Sequence, residues 1–97
     1  MLTSKQKKYL KSEAHSLKPI FQIGKDGVSH KQAMTILDAL EKKELIKVKL
    51  LDTCPLTVQQ AALEISMQTK AEVVHIIGHT IILYKESEKE IYKLPWE

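Results

Sequence analysis

The alternation of hydrophobic periods along this 97-residue chain predicts an α/β fold. Three observations carry that reading. Apolar residues recur at helical spacing at Leu10, Ala14 and Leu17, and again at Ala33, Ile36, Leu37 and Leu40. In LIKVKLL the period falls to two, with Ile46, Val48 and Leu50 on one side and Lys47 and Lys49 on the other. The apolar stretch AEVVHIIGHTIILYK, broken at Gly78 and His79, closes the pattern as a hairpin. The resulting order is αβαβαββ. Helices linking parallel strands, followed by a terminal hairpin, make a mixed four-stranded sheet with three helices. The lysines of KVK face solvent only if one side of the sheet is open. The helices are therefore expected to crowd onto a single face, giving a two-layer sandwich.

Each element has its own justification. Thr3 with Gln6 three residues later resembles a capping box, so the first helix is expected over residues 4–16. Pro19 ends that region, and IFQI, rich in strand formers and stopped by Gly24, reads as a short buried strand. Ser29 is a suitable N-cap for a second helix reaching about Lys43, and LIKVKLL follows as the second strand. The turn DTCP leads into a third helix over residues 57–69, with Val58, Ala61, Ala62 and Ile65 inward. After the hairpin comes ESEKEIYKLPWE, which is charged and without clear period. The expected organisation is one domain over residues 1–86 and a charged tail over residues 87–97, anchored, if at all, by Ile91, Tyr92 or Trp96.

Composition narrows the function classes. A hydrophobic content of 43% supplies one modest core. Apolar runs are too short to cross a bilayer, and MLTSKQKKYLKSEAH lacks the apolar centre of a signal peptide, so the chain reads as a soluble cytoplasmic protein with no membrane partner. One cysteine, Cys54, excludes an internal disulfide framework. The formal net charge is +3, but it is unevenly spread. Seven lysines (5, 7, 8, 11, 18, 25 and 31) fall in the first 31 residues against Glu13 and Asp26 alone. A local basic surface of this kind is an electrostatic footprint for a polyanion. On the first helix Lys7, Lys11, His15 and Lys18 are spaced to form one stripe beside the apolar one, with Lys8 close by.

The chemistry-bearing motif is GKDG, Gly24 to Gly27, directly before the second helix. Glycines let backbone N–H groups face an anion, the helix start adds its positive end, and Lys25 and Lys31 add mobile charge. A plain tight turn explains the same residues without a ligand. GKDG is not a nucleotide-binding P-loop, because the longer Gly-rich loop ending in Gly-Lys-Ser/Thr is missing. His75 and His79 have a metal-ligand spacing only if helical; they fall on strands around Gly78, so no metal or other cofactor is expected. Cys54 precedes Pro55 in a turn with no base to activate it, which argues against a nucleophile. Aromatic residues are few, so a polyanion is not expected to be held by base stacking on the sheet.

LTSKQKKYLKSEAHSLKPIFQIGKDGVS, LEKKELIKVKLL and VVHIIGHTIILYK together resemble the CRM domain, the chloroplast RNA splicing and ribosome maturation family, in its short free-standing bacterial YhbY-type form. The resemblance covers about residues 2–85. It implies a fold similar to the C-terminal domain of translation initiation factor 3, RNA binding, association with precursors of the large ribosomal subunit, and no catalysis. Gly24, Lys25, Asp26 and Gly27 match the family's GxxG loop, which resembles the backbone-clamping loop of KH domains. Two departures stand out. Asp26 puts a carboxylate inside the loop, and Lys85 stands where the family commonly has an arginine after LY. The chain contains no arginine at all, so contacts are expected to be point-charge in character, with weak sequence readout.

The expected function is therefore a non-catalytic, monomeric RNA-binding module docking on ribosomal RNA, without a small-molecule substrate. The expected surface joins the first helix (Lys7, Lys8, Lys11, His15, Lys18) to its neighbour the GxxG loop (Gly24, Lys25, Asp26, Gly27, Lys31), with Lys47, Lys49 and Lys85 extending it. The alternative is a protein-interaction adaptor whose basic face binds an acidic partner.

Overall fold

The structure is a computed structural model, described here over residues 2–94. Its elements are α1 (Ser4–Ala14), β1 (Phe21–Ile23), α2 (His30–Lys43), β2 (Leu45–Leu50), α3 (Val58–Thr69), β3 (Glu72–Ile77) and β4 (Thr80–Tyr84). Three helices and a mixed four-stranded sheet are thus present as the periodicities predict. The helix starts are chemically specified. Thr3 and Gln6 form a reciprocal capping box, with the Gln6 N–H donating to Thr3 Oγ1 (3.1 Å) and the Thr3 N–H to Gln6 Oε1 (2.9 Å). Thr57 and Gln60 repeat it on α3, and Ser29 Oγ caps α2 by accepting the Gln32 N–H at 3.1 Å.

The sheet order is β1-β2-β4-β3. β1 runs parallel to β2, in the register Gln22 with Lys49 and Ile23 with Leu50. β4 lies antiparallel between β2 and β3. α3 therefore carries the chain past an empty slot, which the hairpin then fills. The hairpin turn places Gly78 at φ +58°, a left-handed value suited to glycine at the first position of a two-residue turn.

The helices do not all crowd onto one face, which corrects the two-layer expectation. One buried cluster joins Ile23, Ile46, Val48, Leu50, Ile81 and Leu83 of the sheet to Ile36 and Leu40 of α2 and Ala61, Ala62 and Ile65 of α3. A separate cluster on the other face joins Leu45, Val74, Ile82 and Tyr84 to Leu10 and Ala14 of α1. The reason is width. Four strands about 4.8 Å apart leave room for two helices at roughly 8–10 Å separation, not three. β4 lies inside the sheet, and Ile81, Ile82, Leu83 and Tyr84 are all buried, so both its faces need cover. α1 supplies it on the second face, but only over one end of the sheet.

Two connections follow from this arrangement. Lys47 points to the α1 side, where it is half-buried, and its Nζ donates to the Leu17 carbonyl at 3.0 Å. It is thereby a tether for the α1–β1 connection, whereas Lys49 is exposed as expected. After β4 the chain folds back along α1. Tyr92 and Leu94 pack against the cluster containing Leu10 and Tyr84, while Ile91 stays exposed. Trp96 lies outside the described residues.

Candidate nucleic-acid interface

The GKDG sequence closes a tight turn in which the Gly27 N–H donates to the Gly24 carbonyl at 3.0 Å. Gly27 sits at φ +65°, a conformation that side chains with a Cβ resist. Gly24 has no such need: a Cβ there would meet Thr53 Oγ1 at 3.6 Å and Leu51 Cδ1 at 3.7 Å, ordinary contact distances. Beyond the turn, Ser29 begins α2, and Gln32 Nε2 donates to the Gln22 carbonyl at 2.8 Å, fixing the first turn of the helix against β1. Together they bound an open cleft of about 420 Å³ lined by Gln22, Gly24, Lys25, Asp26, Gly27, Ser29, Lys31 and Gln32, among others.

The cleft is electropositive for three separable reasons. Lys25 and Lys31 are exposed at its wall. The first turn of α2 contains no acidic residue, so nothing on the helix offsets the partial positive charge of its N-terminus. Finally, the glycine turn presents backbone rather than side chain. Asp26 is the opposing charge. It makes no hydrogen bond or ion pair among the described residues, and it lines a second groove on the far side of the turn.

The basic residues of α1 are differently placed from the sequence expectation. The helix stops at Ala14, with His15 as C-cap, so Lys18 lies in the irregular connection beyond it rather than on the helical stripe. Lys8, Lys11, His15 and Lys18 are exposed, and Lys7 is half-buried. Helical spacing sets Lys7 and Lys11 on the flank opposite Tyr9 and Glu13. Tyr9 packs toward the returning chain at Tyr92, so the lysine flank is turned away from that segment. α1 and α2 cover opposite faces of the sheet. By alternation with Leu45 and Lys47, Lys49 is on the α1 side of β2, where it is exposed and lies beside Gln22 in the β1–β2 register.

Lys85 is set apart. The loop follows the Ile23–Leu50 end of the sheet, whereas Lys85 follows the Leu45–Tyr84 end and donates its N–H to the Glu44 carbonyl. At about 3.3 Å per residue, the length of β2 separates the two by roughly 16 Å. Its groove is lined by Glu41, Glu86 and Glu88 and by a second cation, Lys89. Cys54 is half-buried against the core, and His75 and His79 sit on β3 and in the hairpin turn. Among the described residues no three His, Cys, Asp or Glu side chains gather as a metal would require.

Glu44 is the residue that sequence reasoning missed. It caps α2 at φ 65°, ψ −41°, a costly conformation for a residue with a Cβ, and it is fully buried. Its carboxylate accepts the Ser87 N–H (3.1 Å), the Ser87 hydroxyl and the Tyr92 N–H (3.0 Å). Burial pushes this carboxyl up, but the hydrogen bonds from the Ser87 hydroxyl and from the Tyr92, Ile91 and Ser87 backbone outweigh it and hold the group below its ordinary value. Burial also pushes the nearby Tyr84 phenol up to about 12, with Glu44, Glu86 and Tyr9 adding to the shift. The one available signal was an acidic residue directly between a helix and a strand, where glycine or asparagine is usual.

Comparison with known proteins gives a consistent set. The family model for the CRS1 / YhbY (CRM) domain matches residues 2–85. The chain is 46% identical over 89 residues to a Bacillus subtilis protein named "Probable RNA-binding protein YqeI", covering 92% of this chain and 93% of that one. It is 39% identical over 94 residues to a Haemophilus influenzae protein named "RNA-binding protein", covering 97% and 95%. Among solved structures, the solution structure of a hypothetical protein from Staphylococcus aureus superposes with a TM-score of 0.79 at 43% identity, covering 98% of this chain and all of that one.

Proposed function

The chain belongs to the CRS1/YhbY (CRM) domain family, and on that footing we propose that it is a non-catalytic RNA-binding protein acting on ribosomal RNA in large-subunit precursors. The observation that carries the reading is the cleft at the GKDG turn. There the uncompensated start of α2, Lys25 and Lys31 converge on a turn whose Gly24 is not demanded by the fold. A glycine that the backbone does not require is accounted for by close approach of an external group, and the local charge selects a phosphate. Lys49 and the α1 lysines extend this basic surface across the uncovered part of the sheet. Such a surface reads backbone shape and charge rather than base identity, because among the described residues it offers lysines and, as its one aromatic, the half-buried Phe21 at the cleft.

The reading separates cleanly from an adaptor that binds an acidic protein. Titrate the chain with ribosomal RNA, heparin and an acidic protein, each at two salt concentrations. RNA preferred over heparin at equal charge, with the preference surviving at the higher salt, supports the proposal. Equal or tighter binding of the acidic protein overturns it. Crosslinking in cells, followed by sequencing of the attached RNA, then tests the ribosomal assignment; enrichment of other RNA classes refutes it.

A further inference from the structure

The RNA reading uses one side of the GKDG turn and leaves Asp26 unexplained. On the other side, between the turn and α3, lies a groove of about 510 Å³. Its apolar lining is Val28, Pro55, Leu56 and Leu63, and its charged lining is Asp26 and Glu64 alone. No lysine lines it, in a chain that has fifteen. α3 itself, VQQAALEISMQT, has Glu64 as its one charged residue. Its inward side is already filled by Ala61, Ala62 and Ile65, yet Leu63 is 62% and Met67 67% exposed, one helical turn apart. These two side chains are surplus to the core.

We infer that this groove docks a basic, partly apolar segment of a protein partner. The segment's apolar side chains cover Leu56 and Leu63, and its lysine or arginine pairs with Asp26 and Glu64. Charge decides the occupant. RNA would meet two carboxylates and no cation, which opposes it. A second copy docked through its own α3 would bring Glu64 toward like charges, which also opposes it. A basic segment supplies the missing sign and buries exposed leucine at the same time. The groove lies across the turn from the phosphate cleft, so Lys25 and Asp26, adjacent in sequence, serve ligands of opposite charge. This inference does not depend on the RNA reading, since neither its ligand nor its test involves RNA binding to the cleft.

The test uses the isotope-labelled full chain and a ten-residue peptide alternating leucine and lysine. Amide shifts are expected at Asp26, Val28, Leu56, Leu63 and Glu64. The double variant Asp26→Asn/Glu64→Gln should weaken the peptide about three- to tenfold, the scale of two exposed ion pairs. Leu63→Ser should weaken it about fivefold through lost apolar burial. Asp26 and Leu63 are exposed, while Glu64 is half-buried and accepts from Gln68 Nε2 at 3.2 Å; unchanged melting temperatures confirm that folding is intact. A peptide with glutamate for lysine should not bind. The inference is overturned if the glutamate peptide binds equally, if the shifts map elsewhere, or if both variants bind like the parent. It is also overturned if sedimentation reveals a dimer of the chain that Leu63→Ser dissociates.

Discussion

Gly24 and Gly27 bracket one turn for different physical reasons, and substitution separates them. Gly27→Ala forces a Cβ into the left-handed region at φ +65° and should cost about 1–2 kcal/mol of stability. Gly24→Ala meets only ordinary contacts and should melt with the parent, while its methyl group narrows the phosphate cleft and weakens RNA binding. Thermal melts and RNA titrations of both variants check this; a Gly24→Ala protein melting as low as Gly27→Ala would sink the conformational argument. Lys25→Asp makes a complementary prediction. Lys25 is exposed, so folding should survive, and RNA affinity should fall by roughly 1–3 kcal/mol through a lost charge-assisted contact and new repulsion. Unchanged affinity with an unchanged circular dichroism spectrum would remove the turn from the phosphate site.

Between elements, Glu44 ties the end of α2 to the chain beyond β4, and its titration should be visible in stability. Its folded pKa lies below the ordinary 4.5, so its contribution is present above that value and is lost as pH falls through the lower, folded value. Glu44→Gln keeps the shape but removes the charge that the Ser87 and Tyr92 donors favour, at a cost of about 1–3 kcal/mol at neutral pH. Denaturant titrations over an acidic pH series should show the parent converging on the variant; parallel curves would mean that Glu44 is not the titrating group. The alkaline limb has the opposite sign. Tyr84 contributes stability that is complete below its ordinary 10.0 and lost as pH rises through about 12, and Tyr84→Phe should flatten that limb. These elements also mark the reach of the sequence. Helix starts were legible because Thr3/Gln6 and Ser29 are local chemistry. The placement of α1 was not, because it depends on β4 entering the sheet interior, a long-range pairing that the unbroken run IILY hints at only through its lack of alternation. Glu44 was missed for the same reason, as its hydrogen-bond donors lie 43 and 48 residues away. At the interface, the GKDG cleft could be read locally, whereas the separation of Lys85 and the tethering of Lys47 required the register.

Across the whole molecule the charge is uneven without being segregated: lysines predominate in the first 31 residues, where Glu13 and Asp26 are the opposing charges, and Asp38 faces Lys42 on α2. The proposed phosphate-binding path joins the lysines of α1 and of the connection beyond it to Lys25 and Lys31 through the exposed Lys49. At the other end of β2, Glu41, Glu86 and Glu88 line one groove with Lys85 and Lys89. If this path is a defined phosphate-binding surface, salt dependence must follow position and not total charge. Replacing Lys7, Lys8 and Lys11 of α1 with glutamine should flatten the slope of log affinity against log salt by up to about 2 units, at roughly 0.7 per phosphate contact for single strands. The loss should be similar for RNAs of different sequence, since lysines neutralise phosphates without reading bases. Lys42 and Lys43, at the C-terminal end of α2, and Lys70, capping α3, form a control of equal charge. Lys42 faces Asp38 at 3.4 Å in an exposed pair whose loss should cost little. With the control triple, affinity should keep the parent slope. A control that flattens the slope as much as the α1 triple would mean that net charge, not this surface, holds the RNA, and the α1 face would then have no place in the interface.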